Sequence, residues 1–209
     1  MATPLPIDLL PFPVVASHSG VWRHDHTTGG VVARAPARTD FYINPGGDDA
    51  GDAESMLNAA TLLGTPPAGD FQLSARVTVD FAAQYDAGVL MVWRDASHWA
   101  KFCFEFSPDA EPMVVSVVTR DVSDDANAFV VREYSIWLRV ARLGRAYAFH
   151  ASTDAVRWQL IRVFTFDDDR VGDHQVGFEA QSPTGDGCTV TFDDIRFTSE
   201  RLGDLRDGS

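Results

Sequence analysis

The residues with the most capacity for chemistry stand in one file. The stretch Trp99–Asp125 reads WAKFCFEFSPDAEPMVVSVVTRDVSDD, two strands joined by a proline-bearing turn. Phe102, Phe104 and Phe106 alternate on one side and want a core, while Trp99, Lys101, Cys103 and Glu105 take the other side. A ring, a cation and a carboxylate on one face suit a carbohydrate. The ring packs against the apolar face of a pyranose, and charged groups and amides take its hydroxyls. The polar faces of other strands add Arg76, Trp93, Thr119, Trp137, Arg139, Glu179 and Gln181, with Tyr85 and Asp86 at the rim. The expected ligand-binding set is therefore Tyr85, Asp86, Trp99, Lys101, Glu105, Trp137, Arg139 and Glu179. The same alternation also fits a solvated sheet surface, on which Lys–Glu and Arg–Glu pairs across strands contribute roughly 0.2–1 kcal/mol each.

Other chemistry is harder to build. Glycoside hydrolysis needs two carboxylates at a defined separation, and by strand phase Glu105 and Glu179 are the best pair. Glu105 is the only acid on that face of its strand, beside Lys101, which favours its ionised form and spoils a general acid. No catalytic residue is assigned. His24 and His26 share a strand face near His18, but two imidazoles without a third placed ligand do not make a metal site. The acidic loops Asp48–Asp52 and Asp167–Asp169 have oxygen ligands for Ca²⁺ without an organised spacing. No glycine-rich phosphate loop precedes a helix and no nucleophile elbow is marked, so no cofactor is expected.

The chain as a whole narrows the partners. It has 209 residues and a formal net charge of −13, which disfavours nucleic acid and anionic membrane surfaces. With 45% hydrophobic and 11% aromatic residues it can bury a sizeable core. Cys103 and Cys188 are read as reduced thiols of a cytoplasmic protein, with one bridge between them still possible. The leading segment MATPLPIDLLPFPVVAS has no basic start and no unbroken apolar run, so a signal peptide is not expected. No stretch approaches the roughly 20 apolar residues of a membrane span.

The elements that must position these residues are strands. Short alternating runs are punctuated by Gly, Pro, Asp and Asn, the pattern of a sandwich. A hairpin is expected from Val21–His26 and Val31–Ala35 around TTGG. Ser55–Leu63 fits either a short helix or a strand. Phe71–Phe81, Gly88–Trp93, Trp99–Phe106, Met113–Thr119, Tyr134–Ala141, Tyr147–Ser152, Trp158–Phe166, Val176–Ala180 and Thr189–Phe197 read as strands. Residues 1–198 are expected to form one domain, followed by a polar, frayed tail over 199–209.

The runs YDAGVLMVWRDASHWAKFCFEF, VVSVVTRDVSDD, WLRVARLG, STDAVRWQLIRVFTF and VGFEAQSPTGDGCTVTFDDIRF follow in an order and spacing that resemble one family. It is a domain-of-unknown-function family also called regulation-of-enolase-like, and the resemblance spans about Trp22 to Phe197. It implies an all-β, concanavalin A-like jelly roll of two curved antiparallel sheets. It also implies kinship with the β-sandwich attached to some β-xylosidases. Two departures stand out. Ser152-Thr153-Asp154-Ala155 carries alanine where the family has glycine, and Ser123-Asp124-Asp125 lacks the family's tryptophan near a long loop.

The expectation is a non-catalytic protein whose concave groove binds a carbohydrate or polyol. The alternatives are a module that modulates a metabolic enzyme and a sugar-active hydrolase or isomerase. Monomer and homodimer both remain open.

Overall fold

The computed structural model describes residues 4–47, 54–166 and 174–209. Among them are seventeen strands and no α-helix. In chain order these are β1 (Pro4–Leu5), β2 (Val14–Ala16), β3 (Trp22–His24), β4 (Val31–Arg34), β5 (Phe41–Tyr42), β6 (Met56–Leu57), β7 (Ala60–Gly64), β8 (Phe71–Asp80) and β9 (Ala87–Asp95). There follow β10 (His98–Phe106), β11 (Pro112–Arg120), β12 (Val122–Val130), β13 (Ser135–Leu143), β14 (Ala146–Ser152), β15 (Gln159–Phe164), β16 (Gln175–Gln181) and β17 (Thr189–Thr198). One sheet runs β1-β2-β7-β16-β9-β10-β11-β12, the other β15-β14-β13-β8-β17-β4-β3, and β5 pairs with β6 as a separate ribbon. Every pair is antiparallel, and the two large sheets pack face to face as a jelly-roll sandwich.

Alternation decides the core. Phe71, Leu73, Ala75, Val77 and Val79 of β8 and Ile136, Leu138 and Val140 of β13 are all buried. They meet Phe102 and Phe104 of β10 in one cluster. Phe102 stacks on Phe149 of the opposite sheet, with centroids 4.7 Å apart. Gly88 marks a close approach between the sheets, since a Cβ there would come within 2.5 Å of both Val77 and Val190. The expected hairpin forms as β3 and β4, and the ambiguous Ser55–Leu63 segment forms β6 and all but the last residue of β7, with no helix.

Three segments differ from expectation. Val122–Val130 is an additional strand at the edge of the first sheet, exposed along most of its length. Its polar composition hides it from a search for alternation, because an edge strand has little to bury. The proline-rich leading segment carries β1 and β2 and buries Ile7, Leu10, Phe12 and Val14. The C-terminal segment is docked, not frayed. Leu202 is buried, and the carbonyls of Leu205 and Gly208 accept hydrogen bonds from His150 and Arg139. Both cysteines are buried and free. Within the described residues no helix is long and apolar enough to cross a membrane.

The alanine that departs from the family pattern sits under strain. Ala155 has φ 59°, in a turn where Asp154 Oδ1 accepts from the backbone N–H of Val156 and Arg157. Glycine enters this left-handed region without the clash its Cβ causes. Ala155→Gly is therefore expected to stabilise the protein by about 1 kcal/mol, read as a higher urea midpoint at unchanged slope. A lower midpoint would contradict the account.

Candidate functional site

The outer face of the first sheet divides into a covered part and an open hollow. The β5–β6 ribbon covers one part. Phe41 is buried there, its ring edge-on to Trp93 at 5.5 Å and to Trp99 at 5.7 Å. With Ala59, Leu63, Val89, Met91, Cys103, Val115 and Val117 these rings make a second, smaller apolar cluster. Ser123 at the start of β12 clamps the ribbon: its hydroxyl accepts from Ile43 N–H at 2.9 Å and its own N–H donates to Ile43 O. The Ser123-Asp124-Asp125 run that lacks a tryptophan is thus a strand that holds the cover in place.

Register places the charged residues beside the ribbon. Lys101 pairs across the sheet with Met91 and Val117, and Val117 pairs with Asp125. Glu105 lies four residues along β10 on the same face, between Ala87 and Met113. Glu179 faces Thr61 on one side and Val89 on the other. The strand partners of Lys101, Glu105 and Glu179 are thus small or apolar. A hollow of about 440 Å³ opens here, lined among others by Asp40, Tyr42, Glu54, Tyr85, Lys101, Glu105, Met113, Asp125, Asn127 and Gln181.

Lys101 is 2% exposed. Its Nζ donates to Asp40 Oδ1 at 2.7 Å and to Gln181 Oε1 at 2.8 Å. Burial opposes its charge, but Asp40, Glu179 and Glu105 outweigh burial and hold the ammonium above the usual lysine range. The buried carboxyls go the other way. Burial pushes Glu105 up to about 8, against the pull of Lys101 and with a further push from Asp125 and Asp40. Burial likewise pushes Glu179 up to about 8, and neither of its oxygens has a hydrogen-bond partner among the described residues. Asp125, a residue of the open rim, is also raised, first by desolvation of its carboxyl and then by Asp40, with Lys101 opposing.

The expected site residues part company. Tyr85, Lys101 and Glu105 meet in the hollow. Trp99 is fully buried beneath the ribbon, so its ring has no face left for a ligand. Asp86 is fully buried too. Its carboxylate accepts from Ala82 N–H, Ala83 N–H and the Ser182 hydroxyl, and so fixes the turn that carries Tyr85. Glu179 lies beneath the hollow with no exposed surface. Trp137 and Arg139 are on β13, in the other sheet, and face outward on the opposite side of the sandwich. There Trp137 Nε1 donates to Asp194, and Arg139 donates to Gly208 O beneath the ring of Trp158. Alternation places a side chain in or out of the core, but both sheets have an outside.

Asp40, Tyr42, Asp125 and Asn127 were missed because ribbon and edge strand carry no periodic signal. Tyr85 has a signal of another kind: φ 67°, unusual for a bulky residue. Its N–H donates to Phe106 O and its carbonyl accepts from Gln181 Nε2, so the strain is held from both sides. His24 and His26 face each other, Nδ1 to Nδ1 at 3.0 Å, and His18 contacts Ser17. Among the described residues no three His, Cys, Asp or Glu side chains are grouped to hold a metal ion. The acidic loops at 48–52 and 167–169 lie outside the described residues.

The comparisons with known proteins agree with this architecture. A family model described as "Protein of unknown function (DUF1349)" matches residues 19–200. That description names neither an activity nor an effect on enolase. No curated protein matches the sequence. Among solved structures, a functionally unknown protein from Saccharomyces cerevisiae has a TM-score of 0.74 at 24% identity, over 90% of this chain and 96% of that one. A xylan β-1,4-xylosidase from Bacillus halodurans has a TM-score of 0.71 at 10% identity; 94% of this chain matches 38% of that one. The carbohydrate-binding module CBM66 of Bacillus subtilis has a TM-score of 0.54 at 15% identity, over 94% and 100% of the two chains. The fold is shared with all three.

Two outcomes follow from the buried charges. Lys101→Met leaves Asp40, Glu105 and Glu179 without their cation and is expected to lower stability by about 3–5 kcal/mol; adding Glu179→Gln should recover part of that loss in a double-mutant cycle. The second concerns pH. A glutamate raised from 4.5 to about 8 keeps in the folded state a proton that the unfolded chain releases. Its stabilising share is complete below pH 4.5 and is lost as pH rises towards 8. Glu179→Gln should flatten the fall in stability over that range. At pH 9 the variant should exceed the parent by roughly 1–3 kcal/mol, measured by urea denaturation at a series of pH values.

Proposed function

The chain belongs to the DUF1349 family, and from that premise we propose that it is a carbohydrate- or polyol-binding protein whose ligand sits in the hollow beside the β5–β6 ribbon. One observation carries the reading. Tyr85, 37% exposed and held in a strained backbone conformation, stands over a hollow lined by carboxylates, amides and a buried ammonium. The volume is in the range of small-ligand sites. Tyr85 offers a ring face for stacking, and Asp125, Asn127 and Glu105 offer hydroxyl partners. Lys101 orders the floor through Asp40 and Gln181 and keeps its neighbours in fixed positions. Likeness to a protein named as a carbohydrate-binding module supports the reading at the level of the fold. The two buried free thiols suit the cytoplasmic location expected from the sequence.

Glu179 does not reach the hollow, so the pair Glu105 and Glu179 cannot flank one scissile bond in this arrangement. The reading is therefore binding, with no catalytic residue assigned.

Strain separates function from stability at Tyr85. Tyr85→Gly removes the ring but relieves the positive φ, and is expected to leave folding stability within about 1 kcal/mol of the parent. The measurement is a thermal-shift screen of parent and variant against neutral and charged mono- and oligosaccharides. The parent midpoint should rise by the equivalent of about 2.7 kcal/mol at a hundred times the dissociation constant, and the rise should vanish in Tyr85→Gly. No shift with any saccharide, or a shift that survives in Tyr85→Gly, would overturn the assignment.

A further inference from the structure

The charge pattern of the hollow says more about its ligand than the fold does. Glu105 is 8% exposed. Its carboxyl opens into the hollow and has no hydrogen-bond partner among the described residues. Asp40, Glu54 and Asp125 stand on the same lining, and Glu179 lies beneath it. Among the described residues Lys101 is the one cation on that lining, and its Nζ is already committed to Asp40 and Gln181. Apolar surface comes from Tyr42, Tyr85 and Met113. A desolvated carboxyl with no donor, in a net-negative hollow with aromatic and thioether walls, is complementary to an organic cation.

We propose that the ligand of this hollow carries a positively charged amine, an amino sugar and not a neutral one, seated with its ammonium against Glu105. This rests on the carbohydrate-binding reading and narrows it. A neutral hydroxyl brings one donor, whereas an ammonium brings three and the charge that Glu105 lacks. The methylene and ring carbons next to the amine would lie on Tyr85.

The groups facing Glu105 set how binding couples to protons. Lys101 lies on its own strand, Asp40 and Tyr42 on or beside the ribbon, Asp125 on β12 and Glu179 on β16. Arg162 lies beyond Asp125 and pairs with Asp124 at 2.7 Å. Burial and the three acids keep a proton on Glu105 near neutral pH. An arriving ammonium reverses that balance, so Glu105 gives up its proton to the buffer as the complex forms.

Calorimetric titration of the full chain at pH 7 tests this with D-glucosamine, D-glucose and N-acetyl-D-glucosamine and their β-1,4-linked oligomers. The free amines should bind about tenfold tighter than the other two series, the effect of one charge-assisted hydrogen bond. The binding heat should change with the ionisation enthalpy of the buffer, which reports the released proton. Glu105→Gln should bring the three series within about twofold of each other. Asp125→Asn, on the open rim, should weaken the preference in part and decides the matter if Glu105→Gln fails to fold. Neutral or acetylated sugars binding as tightly as the amines would overturn this inference and leave the carbohydrate reading standing. A preference that persists in both variants would also overturn it. Absence of binding by all three series would overturn both.

Discussion

A single buried ammonium organises the ribbon-bearing face of this protein. Lys101 sits in the middle of an eight-stranded sheet with almost no contact with water. A cation in that position is tolerated only where its donors are met and its charge is balanced. Asp40 meets it from the loop that leads into β5, and Gln181 from the end of β16. The same Gln181 holds the carbonyl of Tyr85. One side chain therefore ties together the ribbon, the sheet and the strained turn over the hollow. Phe41, Trp93 and Trp99 add dispersion to that junction, but the charge fixes its geometry, since apolar contacts are not directional.

That arrangement explains which parts of the molecule were legible in the sequence. The core was legible because period-two alternation is local: Phe102 and Phe104 fall inward by counting alone, as do Ile136, Leu138 and Val140. Fold class follows from the number and spacing of such strands, and the order of five sequence runs pointed to the family. The site was legible only in part. Lys101, Glu105 and Tyr85 were found because they share a strand phase or adjoin one. Trp137 and Arg139 have the same phase and lie on the far side of the sandwich, since phase carries no information about which sheet a strand joins. Trp99 was placed on the right face, yet a two-residue strand in a ribbon covers it. Asp86 looks like a rim residue in the sequence and is a buried support in the structure. The missed half of the hollow comes from that ribbon and from an edge strand, where burial imposes no rhythm.

The acids around Lys101 also show how burial divides the work between like groups. Asp40 is partly exposed and takes the direct ion pair. Glu179 is sealed and unbonded, so its proton is set by desolvation. Glu105 lies between these extremes: close enough to Lys101 to feel its charge, buried enough to resist ionising, and open enough to meet a solute. The protonation of a carboxyl in that middle position is sensitive to small changes in local charge.

Tyr85 borders the same hollow from the turn before β9. Stability alone would favour glycine at φ 67°, as it would at Ala155. The structure instead spends several interactions on keeping a tyrosine there: three donors to the Asp86 carboxylate, the Phe106 carbonyl and the Gln181 amide. The ring so held lines a hollow that also contains the buried ionisable groups Lys101 and Glu105. Strain above and an unbonded carboxyl below meet at the same hollow.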